Sequence, residues 1–274
     1  MKPIFAVGDP HTATRLLAGH SILVSHAYLG DKPTADVPNP KRKPDEWIPW
    51  ANLIALLAVA SEAWCDSGAF TYWQRALKGK PGLAVTVETW AAFIVENFHF
   101  FAFFVALDVI GDARATLRNW VRLLELVPPE MHGKLVPVWH EGDPAEHLDA
   151  YDPGARIVGL GRTDGRQGGA KGRALTFAFY DAAFNAYPDG AYHLLGNCNP
   201  ETIEPYPARS FDATTWQRDS AYARSHGWPW GRVSKETRMR AYIEAICGIE
   251  HRPAEKPAQT DLLEYIKARS AVTE

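Results

Sequence analysis

The sequence predicts an α/β protein: a TIM-like (β/α)8 barrel followed by a short helical C-terminal appendage. Three observations predict it. Eight short apolar runs are dispersed evenly between Ile4 and Thr214. Several are apolar at nearly every position, as in Phe103-Phe104-Val105-Ala106-Leu107, which suits parallel strands covered on both faces. Amphipathic segments separate the runs, giving the βα order that a parallel barrel needs. An open doubly wound sheet is the architectural alternative.

The first two strands are Ile4-Phe5-Ala6-Val7-Gly8 and the run from Ser21 to Leu29. Pro33, Pro38, Pro40 and Pro44, with Lys41-Arg42-Lys43, mark 31–46 as an exposed loop inserted after the second strand. A helix over about 47–60 leads to a strand from Ala63 to Phe70, and a helix over 86–98 to the run from Phe100 to Ile110. Residues 113–127 set Leu117, Trp120, Val121 and Leu124 on one helical stripe with arginines opposite, and Pro128-Pro129 stops the helix. Strands at Leu135–His140, Arg156–Gly161, Tyr192–Gly196 and Arg209–Thr214 alternate with helices over 144–151, 174–186 and 199–204. After Trp216 a Trp/Gly/Pro-rich stretch (His226-Gly227-Trp228-Pro229-Trp230-Gly231) precedes two helical segments, roughly 234–247 and 259–270. The expected division is therefore a barrel over 1–216 and a Trp/Arg-rich helical appendage over 217–274, packed on the barrel.

With 46% hydrophobic and 22% charged residues in 274, the chain has the apolar mass for a substantial core, which excludes disorder as its main state. Lys and Arg number 29 against 32 Asp and Glu, so no global positive field drives adhesion to nucleic acid. The charge is uneven: residues 1–152 carry 13 basic and 18 acidic side chains, residues 153–240 carry 12 and 8. Any basic face is local. Cys65, Cys198 and Cys247 are scattered and odd in number, which fits a reducing compartment better than a disulfide framework. No apolar run approaches the roughly 20 residues of a membrane helix, and Met1-Lys2-Pro3-Ile4-Phe5 opens no long apolar stretch, so a cytoplasmic, membrane-free protein is expected.

Polar residues fall where apolar runs end, which in a barrel is the catalytic rim. Asp66 lies in Trp64-Cys65-Asp66-Ser67-Gly68-Ala69-Phe70, Asp108 in Ala106-Leu107-Asp108-Val109-Ile110, and Asp212 in Phe211-Asp212-Ala213-Thr214-Thr215-Trp216. One aspartate at a strand end is as well explained by capping the next helix. Three at one rim favour function, because clustered carboxylates are costly. His140-Glu141-Gly142 ends another strand and Gly159-Leu160-Gly161 another, where missing side chains would let a planar ligand lie on backbone. His193 and Gly196 flank the seventh run.

The segment Asp66-Ser67-Gly68-Ala69-Phe70 resembles the Asp-Ser-Gly-Gly-Phe signature of tRNA-guanine transglycosylases, with Ala69 for the second glycine. Together with Leu107-Asp108-Val109-Ile110, Pro137-Val138-Trp139-His140-Glu141-Gly142 and Phe211-Asp212-Ala213-Thr214-Thr215-Trp216, it is most similar to the phage members of that superfamily, which place 7-deazaguanine bases into DNA. The resemblance covers about residues 3–216. It implies Asp212 as nucleophile and Asp66 as general acid/base. It implies base contacts from Asp108, Ser67, Gly68, Gly159, Gly161 and Leu195, with His140 where the tRNA enzymes have glutamine. The implied partners are DNA and a 7-deazaguanine, first of all 7-cyano-7-deazaguanine. The Cys-x-Cys-x2-Cys zinc cluster of the tRNA enzymes has no counterpart here, and Cys247 with His251 is only half a site, so no metal or other cofactor is expected.

Exchange on one face of a sugar needs two displacements, which suits a carboxylate nucleophile. Arg162, Arg166, Lys171 and Arg173 among Gly165, Gly168, Gly169 and Gly172 make a basic loop suited to phosphate, and Trp216 is a candidate stacking partner for nucleic acid. Trp228 and Trp230 could stack likewise, and Arg218, Arg224, Arg232, Arg238 and Arg240 would extend the basic face. An ordinary solvated loop and core tryptophans are the plainer readings. The competing functions are a tRNA-guanine transglycosylase, a nucleoside or deazaguanine glycoside hydrolase, and a non-catalytic nucleic-acid-binding barrel.

Overall fold

The computed structural model describes residues 1–8, 10–29, 50–79, 85–162, 169–213, 216 and 234–252. The inserted loop at 31–46, the Trp-rich stretch and the helix expected at 259–270 lie outside the described residues. All eight apolar runs contribute a strand to one parallel sheet: β1 (Lys2–Val7), β2 (Ser21–Ser25), β3 (Glu62–Asp66), β4 (Phe103–Val105), β5 (Leu135–Val136 and Val138–His140, either side of Pro137), β6 (Ile157–Gly161), β7 (Ala191–Leu194) and β8 (Ser210–Ala213). The chain is a (β/α)8 barrel. β8 returns to β1, pairing Ser210 with Lys2 and Asp212 with Ile4.

The ring closes at β5. Its first segment pairs with β4 (Phe104 with Leu135, Val105 with Val136), and its second pairs with β6 (Val138 with Gly159, His140 with Gly161). Pro137 has no N–H to give a neighbour, so the strand changes partners there. Its carbonyl still accepts from Gly159 N–H at 2.8 Å, and Ala106 N–H reaches Val136 O at 2.8 Å.

Alternate strand residues feed two apolar layers, which is why the runs read as solidly hydrophobic. Ile4, Leu23, Trp64, Val105, Val138 and Ile157 fill the barrel interior. Phe5, Ile22, Cys65, Phe104, Val158 and Tyr192 face outward beneath the helices.

Those helices are α1 (Pro10–Leu16), α2 (Trp50–Val59), α3 (Ala69–Ala76), α4 (Val87–Asn97), α5 (Ala113–Leu126), α6 (Ala145–Tyr151), α7 (Gly169–Ala186), α8 (Pro200–Ile203) and α9 (Lys235–Cys247). Thr86 and Thr89 cap α4 reciprocally, each side chain accepting from the other's backbone N–H. Asp112 caps α5 by accepting from Ala115 N–H at 2.8 Å. The buried stripe of α5 is Thr116, Trp120 and Leu123, while Val121, expected on it, is 50% exposed. The run from Ala63 to Phe70 divides at Asp66, where the strand ends and Ser67-Gly68 leads into α3.

The C-terminal helix α9 packs on the barrel. Met239, Ile243 and Ile246 join the outer apolar layer, and Glu236 pairs with Arg15 of α1 at 2.7 Å. Following β8 and lying beside α1, α9 holds the place of the last helix of the ring.

Phe104 is fully buried against Trp90 and Phe101. Phe104→Ala should lower stability by about 3–5 kcal/mol, measured by urea denaturation; a loss below about 1 kcal/mol would contradict this packing.

Candidate active site

Asp66, His140 and Asp212 stand at or next to the last residues of β3, β5 and β8, and Asp108 lies three residues beyond β4. Parallel pairing turns all four strand ends toward one rim of the barrel. Each residue is held differently.

Asp66 pairs with Ser25 of β2 in register. The chain turns sharply after it: Gly68 has φ +85° and donates its N–H to Asp66 Oδ2 at 2.9 Å. A Cβ on Gly68 would stand 2.7 Å from that of Ala27, so this turn requires glycine. Burial, reinforced by the charge of Asp108 and more weakly by that of Asp212, pushes the Asp66 carboxyl up to about 7 against the hydrogen bond of Gly68 and the neighbouring Ser25 hydroxyl. The three aspartates thus share one electrostatic environment. Ser67 is turned elsewhere: it is fully buried, and its hydroxyl donates to Ala106 O at 3.4 Å, linking the ends of β3 and β4.

Asp108 sits in a loop fastened to α5. Val109 N–H donates to Thr116 Oγ1 at 2.9 Å, and Asn119 Nδ2 donates to Leu107 O at 3.1 Å. One carboxylate oxygen, Oδ2, lies 2.8 Å from His140 Nε2. His140 in turn is gripped by a tight turn in which Asp143 N–H bonds His140 O at 3.0 Å and His140 N–H bonds Asp143 Oδ2 at 2.9 Å, with Gly142 at φ +87°. Burial disfavours the His140 cation, but the hydrogen bond to Asp108 and the Asp143 carboxylate, 3.5 Å from Nδ1, outweigh it and push the imidazole up to about 9. His140 is therefore a cation at neutral pH, between two carboxylates.

The glycines of β6 serve neighbouring side chains. A Cβ on Gly161 would lie 3.0 Å from His140 Cδ2, and one on Gly159 would lie 3.0 Å from Leu195 Cδ1. The planar group expected over this bare backbone is, at Gly161, the His140 ring itself. Leu195 packs onto the barrel-interior cluster.

Asp212 is 5% exposed and its Oδ1 accepts from Gly196 N–H. His193 Nε2 is 3.5 Å from the same oxygen.

The candidate nucleic-acid contacts fare less well. Arg162, expected in a free phosphate loop, is instead largely buried, with Nε 3.4 Å from Glu141 Oε2 and Nη1 bonded to Thr176 Oγ1. Trp216 is also not a stacking surface: it is fully buried, its Nε1 donates to Ala6 O at 3.0 Å, and its ring meets Phe5 edge-on. Arg173 is exposed, 3.6 Å from Glu201. Arg166 and the side chain of Lys171 lie outside the described residues, as do Trp228, Trp230, Arg218, Arg224 and Arg232. Arg240 pairs with Glu236 at 3.0 Å.

Reading the sequence alone missed Asp143, Ser25 and Ser210, and gave His193 no role. Asp143 had a signal, the Gly142-Asp143 pair that lets a turn fold back on the strand end. Cys247 and His251 are engaged separately, with His20 at 3.8 Å and with Glu204 O at 2.8 Å, so they do not make half of a zinc site. Among the described residues no group of three or more His, Cys, Asp or Glu side chains could hold a metal ion, and no helix is long and apolar enough to cross a membrane.

No protein-family model matches the chain, and no curated protein matches it. Among solved structures, it is similar to one described as a fructose-1,6-biphosphate aldolase from Coccidioides immitis, at 12% identity and TM-score 0.49, covering 90% of this chain and 89% of that one. It is also similar to the carboxyl transferase domain of Rhizobium etli pyruvate carboxylase, at 10% identity and TM-score 0.44, covering 94% of this chain and 50% of that one. Likeness this slight does not bear on activity.

Asp66 and His140 both hold protons more tightly folded than unfolded, so each withdraws stability as pH rises, Asp66 from about 3.8 to 7 and His140 from about 6.5 to 9. Urea midpoints measured from pH 4 to 9 should fall through both windows. Asp66→Asn should flatten the lower window and leave the upper; an unchanged slope below pH 7 would refute the assignment.

Proposed function

We propose that this protein is a DNA base-exchange transglycosylase, which replaces guanine in DNA with a 7-deazaguanine base by double displacement. The single observation that carries the reading is the gathering of Asp66, Asp108 and Asp212 at one barrel mouth, with Asp66 feeling the charges of the other two. It is supported by the strand-end positions of the motifs that resemble the phage members of the guanine transglycosylase superfamily.

In the first displacement an oxygen of Asp212 bonds to the sugar carbon as the bond from that carbon to guanine breaks, and the departing base takes a proton from Asp66. In the second, Asp66 removes a proton from the incoming deazaguanine, whose ring nitrogen attacks the same carbon and returns the electron pair to Asp212. A carboxyl group near 7 is suited to both tasks, because donor and acceptor forms coexist at neutral pH. Asp108, with Oδ2 committed to His140, keeps Oδ1 for the ring N–H and exocyclic amine of the base. In this reading His140 supports Asp108 and is not itself the base contact.

The target base must leave the stack to expose its sugar carbon, at a cost of a few kcal/mol in a duplex. The phosphate contacts in this reading fall to Arg173 and the segment holding Arg166 and Lys171.

Incubation with labelled guanine or 7-cyano-7-deazaguanine and with DNA or RNA, followed by nucleoside mass spectrometry, tests the proposal. Label should enter DNA and a denaturation-resistant protein–DNA adduct should form, both abolished in Asp212→Asn. Label entering RNA alone identifies a tRNA-type enzyme, base release without incorporation a hydrolase, and full activity of Asp212→Asn refutes the nucleophile.

A further inference from the structure

A histidine that the mechanism above does not use lies beneath Asp212. His193 points into the barrel from β7, is fully buried, and lies with its ring 4.7 Å from that of Trp64. Its Nδ1 is 2.9 Å from Ser210 Oγ, and its Nε2, with no hydrogen-bond partner, faces Asp212 Oδ1 at 3.5 Å. Ser210 and Asp212 are on the same face of β8, two residues apart, and His193 pairs with Ser210 in register.

Burial decides the direction of this chain. The Ser210 hydroxyl is buried, and His193 Nδ1 is the acceptor the structure offers its proton, so Ser210 donates and Nδ1 accepts. A neutral imidazole that accepts at Nδ1 carries its proton at Nε2, directed at Asp212 Oδ1. The opposite tautomer would set a nitrogen lone pair against a carboxylate in a dry site.

We infer that Ser210 and His193 form a buried positioning relay that aims an N–H at Asp212 Oδ1, the oxygen Gly196 N–H already holds, and so selects Oδ2 as the oxygen that attacks the sugar. This inference rests on Asp212 being the nucleophile. In the first step the Oδ2 lone pair forms the bond to the sugar carbon while the carbon–nitrogen bond to the base breaks, its electron pair leaving with the base. Oδ1 becomes the carbonyl oxygen of the aspartyl ester, keeping the Gly196 N–H and still facing the His193 N–H. In the second step the carbon–Oδ2 bond breaks, and the returning negative charge spreads onto Oδ1, where the Gly196 and His193 N–H groups receive it. His193 touches no reacting bond and acts only through Asp212.

Two measurements test the relay. Long-range 15N–1H spectra of the histidine-labelled protein, with the His193 signal assigned by its loss in His193→Gln, should show Nε2 protonated; an unprotonated Nε2 overturns the proposal. In single-turnover adduct formation followed over a range of DNA concentrations, His193→Leu should be roughly 10²-fold slower at saturation with KM unchanged, whereas His193→Gln, which keeps an N–H donor, should lose less than about tenfold. Equal losses in the two variants overturn it, as does a loss confined to KM. A wild-type protein that forms no adduct with any nucleic acid defeats the transglycosylase reading, while the 15N spectrum still decides the relay.

Discussion

Closure of the sheet is the constraint on which everything else depends. Eight parallel strands on one ring carry their C-terminal ends to a single rim, so residues separated by up to about 150 positions in sequence meet at one mouth. The closing strand is also the most irregular. β5 serves β4 with one segment and β6 with the other, and Pro137 marks the exchange.

Bringing carboxylates together creates the second constraint, since like charges in a partly dry mouth cannot all be ionised freely. Each is managed by its own device. Asp66 retains its proton into the neutral range, Asp108 is matched by the His140 cation, and Asp212 is met by Gly196 N–H. The mouth is a set of inequivalent acids, which acid/base chemistry requires.

Much of this was legible in the sequence. Burial on both faces writes a parallel strand as an unbroken apolar run, and an aspartate ending such a run stands out. Helices α1 and α3 were hidden because they are short and follow directly on strand-end residues counted with the strands. What depends on a neighbouring strand was hidden altogether. Gly161 reads as room for a ligand until β5 places the His140 ring over it, and Arg162 reads as a free cation until Glu141 and Thr176 hold it. Trp216 shows the same limit: its residue type suits stacking and packing equally, and only the carbonyl of Ala6 decides.

The bond between Asp108 and His140 spans the ends of β4 and β5, strands joined in register by only two residue pairs. In the proposed function, this one interaction would serve both recognition of the base and the joining of two strand ends. On that reading, a change at Asp108 toward another base would also remove the tie between the ends of β4 and β5, so new specificity would come more readily from side chains elsewhere around the mouth.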